Sequence, residues 1–192
     1  MRVSVIITTY NQPEQLEKVM WGYAAQHGAT FELIVADDGS GPPTTEVIDR
    51  VTAASGLDVL HVWHEDRAFR KTEILNRAIG AATGDYLVFS DGDCIPREDF
   101  VAAHAHLARP GYFLSGGYIK LSREVSARIS VDDIRSGRAT DPTRLRELGW
   151  HPGKRALRLT RSRVLARIMD TVTPTRRTWN GHNSSAWRDV IL

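Results

Sequence analysis

At 192 residues, 42% of them hydrophobic and 25% charged, the chain is long enough to bury a substantial core and short enough to form a single globular domain. A formal net charge of +2 is too small to indicate a nucleic-acid partner, and the one cysteine, Cys94, excludes an intramolecular disulfide and any cysteine-cluster metal site. That usage suits a reducing, cytoplasmic compartment, and Cys94 itself reads as a small buried hydrophobe.

The amino-terminal run Val3–Ile7 predicts a first strand, too short for a signal-peptide core or a membrane span, so neither export nor integral insertion is expected. Thr8-Thr9-Tyr10-Asn11 forms the loop at its carboxyl end. A helix follows: Pro13 suits a first turn, Glu14 and Glu17 suit the positive end of the helix dipole, and Leu16, Val19, Met20, Tyr23 and Ala24 share one face, with Gly28 as the stop. Phe31–Ala36 predicts a second strand ending in Asp37-Asp38-Gly39-Ser40-Gly41, before Pro42-Pro43 and a helix over about Thr44–Ala54. Leu57–Trp63 predicts a third strand, followed by His64-Glu65-Asp66-Arg67 and a helix with the apolar stripe Ile74, Leu75, Ala78, Ile79 and Ala82, closed by Gly84.

The next strand, Tyr86-Leu87-Val88-Phe89-Ser90, empties into Asp91-Gly92-Asp93, where a glycine lets two carboxylates approach one ligand. Two acids so placed can seat a hard divalent cation. Alone, Asp-X-Asp is a weak signal, because Asp and Gly also favour turns. A helix carrying Phe100, Val101 and Leu107 follows Pro96. Strands alternating with helices predict an α/β fold with a Rossmann-like, mostly parallel central sheet and helices on both faces, whose ligand sits beyond the carboxyl ends of the strands. Every polar cluster named so far falls there.

The second half is less regular. Tyr112–Leu121 predicts one or two strands with a glycine bend, and the polar stretch from Arg123 to Gly153 a long loop or short helices covering the site. Lys154, Arg155, Arg158, Arg161, Arg163 and Arg167 interleave with Leu157, Val164, Leu165 and Ile168, a basic amphipathic helix able to lie on an anionic membrane or to pack on the domain.

The motifs Val3-Ser4-Val5-Ile6-Ile7-Thr8-Thr9-Tyr10-Asn11, Asp37-Asp38-Gly39-Ser40, Asn76-Arg77-Ala78-Ile79-Gly80 and Asp91-Gly92-Asp93, in this order, resemble the inverting glycosyltransferases of family 2, with the GT-A fold. Trp179–Arg188 is similar to the small-residue motif on the acceptor side of galactosyltransferase-like members. The resemblance implies a donor half over 1–110 and an acceptor-side region over 111–192 within one domain. It implies a nucleotide diphosphate-sugar donor, UDP by default, a divalent cation (Mn2+ or Mg2+) and a saccharide or lipid-linked acceptor. Tyr10 and Asp38, with Asp37 as the alternative acid, would meet the base. Asp93 would hold the cation, and Asp91 would reach the ribose or share the metal. Thr8 and Asn76 go with the donor site through the matched motifs; Arg67 and Lys71 would contact phosphate oxygens or stand as solvated charges at a helix start.

No Gly-x-x-x-x-Gly-Lys-Ser/Thr loop and no glycine-rich turn after the first strand occur, which disfavours a nucleoside-triphosphate hydrolase and a dinucleotide oxidoreductase. Galactosyltransferase-like members continue past the small-residue motif into an acidic segment that supplies the acceptor base; this chain ends at Leu192, leaving Asp189 as the candidate base and His182 or His151 as candidates to complete a metal shell. The alternative expectation is a nucleotide-sugar-binding domain without turnover.

Overall fold

The computed structural model describes residues 1–151, 157, 159, 160, 162, 164, 165, 168 and 178–192. Six strands, β1 (Val3–Thr9), β2 (Phe31–Asp37), β3 (Val59–Trp63), β4 (Tyr86–Asp91), β5 (Leu114–Ser115) and β6 (Asn183–Trp187), form one sheet in the order β3-β2-β1-β4-β6-β5. The four amino-terminal strands pair in parallel, while β6 runs antiparallel to both β4 and β5. The period-2 alternation of strand side chains divides the core between the two faces. Val5, Ile7, Leu33, Val35 and Val88 pack against α1 (Pro13–Ala24) and α2 (Pro42–Ser55), whereas Ile6, Ile34, Leu87 and Phe89 pack against α3 (Lys71–Ala81). Burial on both faces is why these strands read as nearly continuous apolar runs, interrupted in β1 and β2 by Ser4 and Glu32.

Local differences from the predicted bounds have physical causes. α1 ends at Ala24, short of Gly28: the Gln26 side chain donates to the Gly22 and Arg97 carbonyls and accepts from the Val101 amide, and the His27 amide donates to the Glu98 carbonyl. Those bonds tie the helix end to the segment leading into α4 (Phe100–Leu107). α2 begins at Pro42, because both prolines fit a first turn whose N–H groups lack helical partners. Of Tyr112–Leu121, only Leu114–Ser115 is a strand.

The stretch after Ser122 folds into α5 (Arg123–Arg128), α6 (Val131–Arg135), a 3₁₀ turn (Arg138–Thr140) and α7 (Pro142–Glu147). Ser122, Ser130 and Asp141 cap these short helices, and Ser130 with Asp133 forms a capping box. Asp133 is buried and accepts from the Arg144 guanidinium, which with the Ser130 hydrogen bonds outweighs burial and brings its carboxyl down to about 2. The group packs on α1, where Arg135 lies over the Trp21 ring at 5.2 Å and Lys18 donates to the Ser126 carbonyl. It therefore buttresses a flank of the sheet, correcting the expectation that this stretch covers the site. The basic segment expected over Lys154–Arg167 falls mostly outside the described residues; Leu157 and Val164 within it, and Ile168 just past it, are exposed.

A buried polar staple fixes the amino-terminal end of the sheet. Glu32 on β2 accepts from the Thr83 amide at 2.7 Å, the Thr83 hydroxyl at 2.8 Å and the Ser4 hydroxyl of β1, while Ser4 Oγ accepts from the Gly84 amide at 2.8 Å. Gly84 is needed here: a Cβ would lie 2.7 Å from the Ser4 backbone nitrogen. Burial pushes the Glu32 carboxyl up, but the hydrogen bonds from Ser4 and Thr83 prevail and hold it below its ordinary value. Because the folded value is depressed, this stabilisation is complete at neutral pH and is lost as the pH falls below the ordinary glutamate range through the lowered folded value. Glu32→Ala is expected to lower stability by about 2–4 kcal/mol, measured by denaturant unfolding at pH 7, with the difference from wild type shrinking toward pH 3.

Candidate functional site

The parallel register determines which polar residues meet. Thr8 of β1 lies beside Asp91 of β4, and Thr9 beside Asp37 of β2, so the carboxyl ends of three strands form one polar rim. Thr8 Oγ1 donates to Asp91 Oδ1 at 2.8 Å, and the Lys71 ammonium, at the first residue of α3, donates to the same oxygen at 2.8 Å. Past Asp91 the chain turns on the Gly92 amide, which donates to the Thr8 carbonyl at 2.8 Å. Asp93 beyond the turn is exposed. Gly92 serves by closeness of approach, since a Cβ there would lie 2.8 Å from the Thr8 carbonyl oxygen.

The two acids after β2 are used differently. Asp37 is fully buried, accepting from the Ser40 amide at 2.8 Å and His61 Nε2 at 3.0 Å. Burial pushes its carboxyl up, but these bonds prevail and hold it below the usual range. It builds the turn beneath the rim. Asp38 reaches the cleft wall, with one oxygen on His64 Nε2 at 2.7 Å and the other accepting from the Arg70 amide at 3.0 Å. Tyr10 is half exposed and donates its hydroxyl to Asp66 Oδ2 at 3.0 Å, which pushes the phenol up and keeps it protonated.

These elements enclose an open cleft of about 280 Å³. Of the residues singled out from the sequence, Thr8, Tyr10, Asp38, Lys71, Asp91 and Asp93 line it. Thr9, Gln12, Phe69 and Gly92, not singled out as ligand contacts, complete the wall. Phe69 could have been noticed as an aromatic in an otherwise charged loop. Asp37 lies beneath the cleft. Arg67 points away into a pair with Glu65 at 2.7 Å, and Asn76 is exposed more than a turn along α3 from Lys71. His182 stacks edge-on against Tyr118, with ring centroids 4.5 Å apart.

Asp189 corrects the expectation of an acceptor base. Because β6 runs antiparallel to β4, Trp187 pairs with Tyr86 and the Arg188 amide donates to the Asp85 carbonyl. Asp189 therefore sits at the amino-terminal end of β4, about 17 Å of strand from Asp91.

The donor set fits a hard divalent cation. Asp91, Asp93 and Cys94 each offer a ligand atom, all within 4.8 Å of one another. Burial and the neighbouring Asp93 push the Cys94 thiol up to about 12, so it stays protonated and donates to Asp93 Oδ1. Oxygen ligands from the two acids remain, the chemistry that Mg2+ or Mn2+ takes.

A six-stranded, mostly parallel sheet whose cleft opens at the carboxyl ends of β1, β2 and β4 is the architecture of the GT-A glycosyltransferases. The chain belongs to glycosyl transferase family 2, whose sequence model matches residues 4–155. It is 29% identical over 123 residues to glycosyltransferase AglE of Haloferax volcanii, covering 62% of this chain and 40% of that protein. It is 31% identical over 109 residues to validoxylamine A glucosyltransferase of Streptomyces hygroscopicus subsp. jinggangensis, covering 54% and 25%. The chain thus spans less than half the length of these relatives. Among solved structures it is similar to mannosyltransferase PcManGT from Pyrobaculum calidifontis in complex with GDP-Man and Mn2+, with a TM-score of 0.55 and 27% identity over 60% of this chain and 35% of that one. Glucosyl-3-phosphoglycerate synthase of Mycobacterium tuberculosis shares the fold over 98% of this chain and 58% of its own, with a TM-score of 0.53 at 22% identity.

Gly92→Ala is expected to destabilise by about 1–3 kcal/mol, because its Cβ meets backbone. Gly80→Ala, on α3 with nothing within 4 Å of the added atom, is expected to leave the thermal midpoint unchanged or raise it slightly. Thermal unfolding of the two variants side by side is the check.

Proposed function

We propose that this chain binds a nucleotide diphosphate-sugar at the carboxyl rim of β1, β2 and β4 and transfers the sugar, with inversion, to a saccharide or lipid-linked acceptor. The observation that carries this reading is the convergence of Asp91, Asp93, Lys71 and Thr8 with Tyr10 and Asp38 on one cleft. Asp91 and Asp93 would hold a divalent cation, which supplies charge neutralisation at the diphosphate leaving group. Lys71 brings a further positive charge, and Thr8 fixes the Asp91 carboxylate through its hydroxyl. Tyr10 offers a flat face to the base and Asp38 a hydrogen-bonding acid, already oriented by His64 and the Arg70 amide. The solved mannosyltransferase relative, a complex with GDP-Man and Mn2+, supports a nucleotide-sugar and metal pairing.

A second reading, a donor-binding domain without turnover, is favoured by the distribution of acids. Among the described residues, the carboxylates lining the cleft are Asp38, Asp91 and Asp93, each with a donor-side role, and Asp189 lies at the far end of β4. An inverting displacement needs a base on the acceptor side. Release of nucleotide diphosphate from a panel of UDP- and GDP-sugars, with and without acceptor saccharides, separates the two readings.

Calorimetry with UDP and GDP tests what both readings share. Binding is expected to require Mn2+ or Mg2+, to weaken at least tenfold in Asp93→Ala, and to be unchanged in Asp189→Ala. Equal affinity with and without a chelator would contradict the metal assignment.

A further inference from the structure

Phe69 is 85% exposed, the most exposed large hydrophobic side chain among the described residues, yet it lines the cleft. Scattered exposed apolar residues need no explanation, and a mobile loop could carry such a ring without consequence. The segment holding Phe69 is fastened on every side. Asp66 Oδ1 accepts from the Ala68 amide at 3.2 Å, and Asp66 Oδ2 accepts from the Tyr10 hydroxyl at 3.0 Å. The Arg70 amide donates to Asp38 Oδ2 at 3.0 Å, and its guanidinium donates to the Glu65 carbonyl at 2.7 Å and to Glu73 at 2.9 Å. From below, Gly39 at φ 96° lets the Asp38 loop press on this segment so closely that a Cβ would lie 2.6 Å from Asp66 Cα.

Ala68, immediately before Phe69, holds a positive φ of 69°. A non-glycine residue in that region is strained, and such strain persists only where the surroundings enforce it, commonly at ligand clamps. Here it accompanies an aromatic ring kept out of the core and facing a polar cleft. One carboxylate, Asp66, thus positions two aromatic residues of the cleft wall, Tyr10 through its hydroxyl and Phe69 through the preceding amide.

We propose that Phe69, held by Asp66 beside Tyr10, is a stacking contact for the nucleobase of the donor, so that the base is gripped by two rings fixed from a single carboxylate. This rests on the nucleotide-sugar reading above and adds to it the residue that contacts the base and the residue that positions it. Stacking suits a rigid ring, because little side-chain freedom is lost on binding. It also tolerates different bases, since every base presents a π-face.

The test is calorimetry of the 192-residue chain with UDP and, in parallel, GDP, each with Mn2+. UDP carries no sugar to be transferred, so any effect belongs to the nucleotide. Phe69→Ala is expected to weaken binding of the nucleotide that wild type binds by about 5- to 100-fold. Phe69→Tyr is expected to restore it to within threefold and Phe69→Leu to leave most of the loss. The thermal midpoint of all three should stay at the wild-type value, because the ring is exposed. Asp66→Ala is expected to weaken nucleotide binding in the wild-type background and to cost less in the Phe69→Ala background, where only Tyr10 is left for it to position, a dependence that a general folding role would not produce. Unchanged affinity in Phe69→Ala, or full restoration by Leu, would overturn the stacking assignment while leaving the nucleotide reading intact. Failure of wild type to bind either nucleotide would overturn both, and is seen before any variant is made.

Discussion

Every polar group in the cleft depends on the parallel pairing of β1 with β2 on one side and β4 on the other. Parallel strands end together, so the register that sets Thr9 beside Asp37 and Thr8 beside Asp91 also delivers both acidic loops and the Tyr10 loop to one rim. The opposite end of the sheet is closed by Glu32, Ser4, Thr83 and Gly84, which bond β1, β2 and the entry to β4 into one register. A slip of one residue would turn each side chain to the other face of the sheet. Thr8 would then leave Asp91, and Lys71 on α3 would lose its acceptor.

The antiparallel strand β6 closes the other side of β4 through a buried polar network. His104 of α4 places Nδ1 2.6 Å from Ser185 Oγ and Nε2 3.0 Å from Asn183 Oδ1, and Ser185 Oγ lies 2.7 Å from the Tyr86 hydroxyl. Since Asn183 Nδ2 donates to the Gly117 carbonyl, its Oδ1 accepts the proton of Nε2, leaving Nδ1 to accept from Ser185. Burial lowers His104 to about 4, so the ring is neutral at physiological pH and the network is a fixed structural joint. It holds β5 and β6 beside β4 and seats Trp179 against Phe89, with ring centroids 5.3 Å apart.

Much of this was legible in the sequence because both faces of the parallel strands are buried. Tyr86–Phe89 is apolar throughout, Val3–Ile7 and Phe31–Ala36 are broken only by Ser4 and Glu32, and threonines or acids stand at or just past the end of each run. The strand β6 was not legible: Asn-Ser-Ser-Ala-Trp carries little strand propensity, and its formation rests on Ser185 and Asn183 finding His104 and Tyr86, contacts remote in sequence. The adjacent acids Asp37 and Asp38 are indistinguishable as letters, yet one ends β2 in the core and the other starts the loop. Asp189 was suggested by its place after the small-residue motif, whereas the antiparallel sense of β6 carries it to the wrong end of the sheet. Phe69 escaped notice because its meaning lies in what fixes it, the hydrogen bonds of Asp66, Ala68 and Arg70, and periodicity carries no trace of those.

The most direct test is a crystal structure of the chain grown with UDP or GDP and Mn2+, with manganese located by its anomalous scattering. The expected result is a single manganese peak within coordination distance of an Asp93 oxygen, the diphosphate on the cation, and the base on the ring of Tyr10 with its edge toward Asp38. A nucleotide bound elsewhere, or manganese away from Asp91 and Asp93, would contradict the assignment of the carboxyl rim as the donor site.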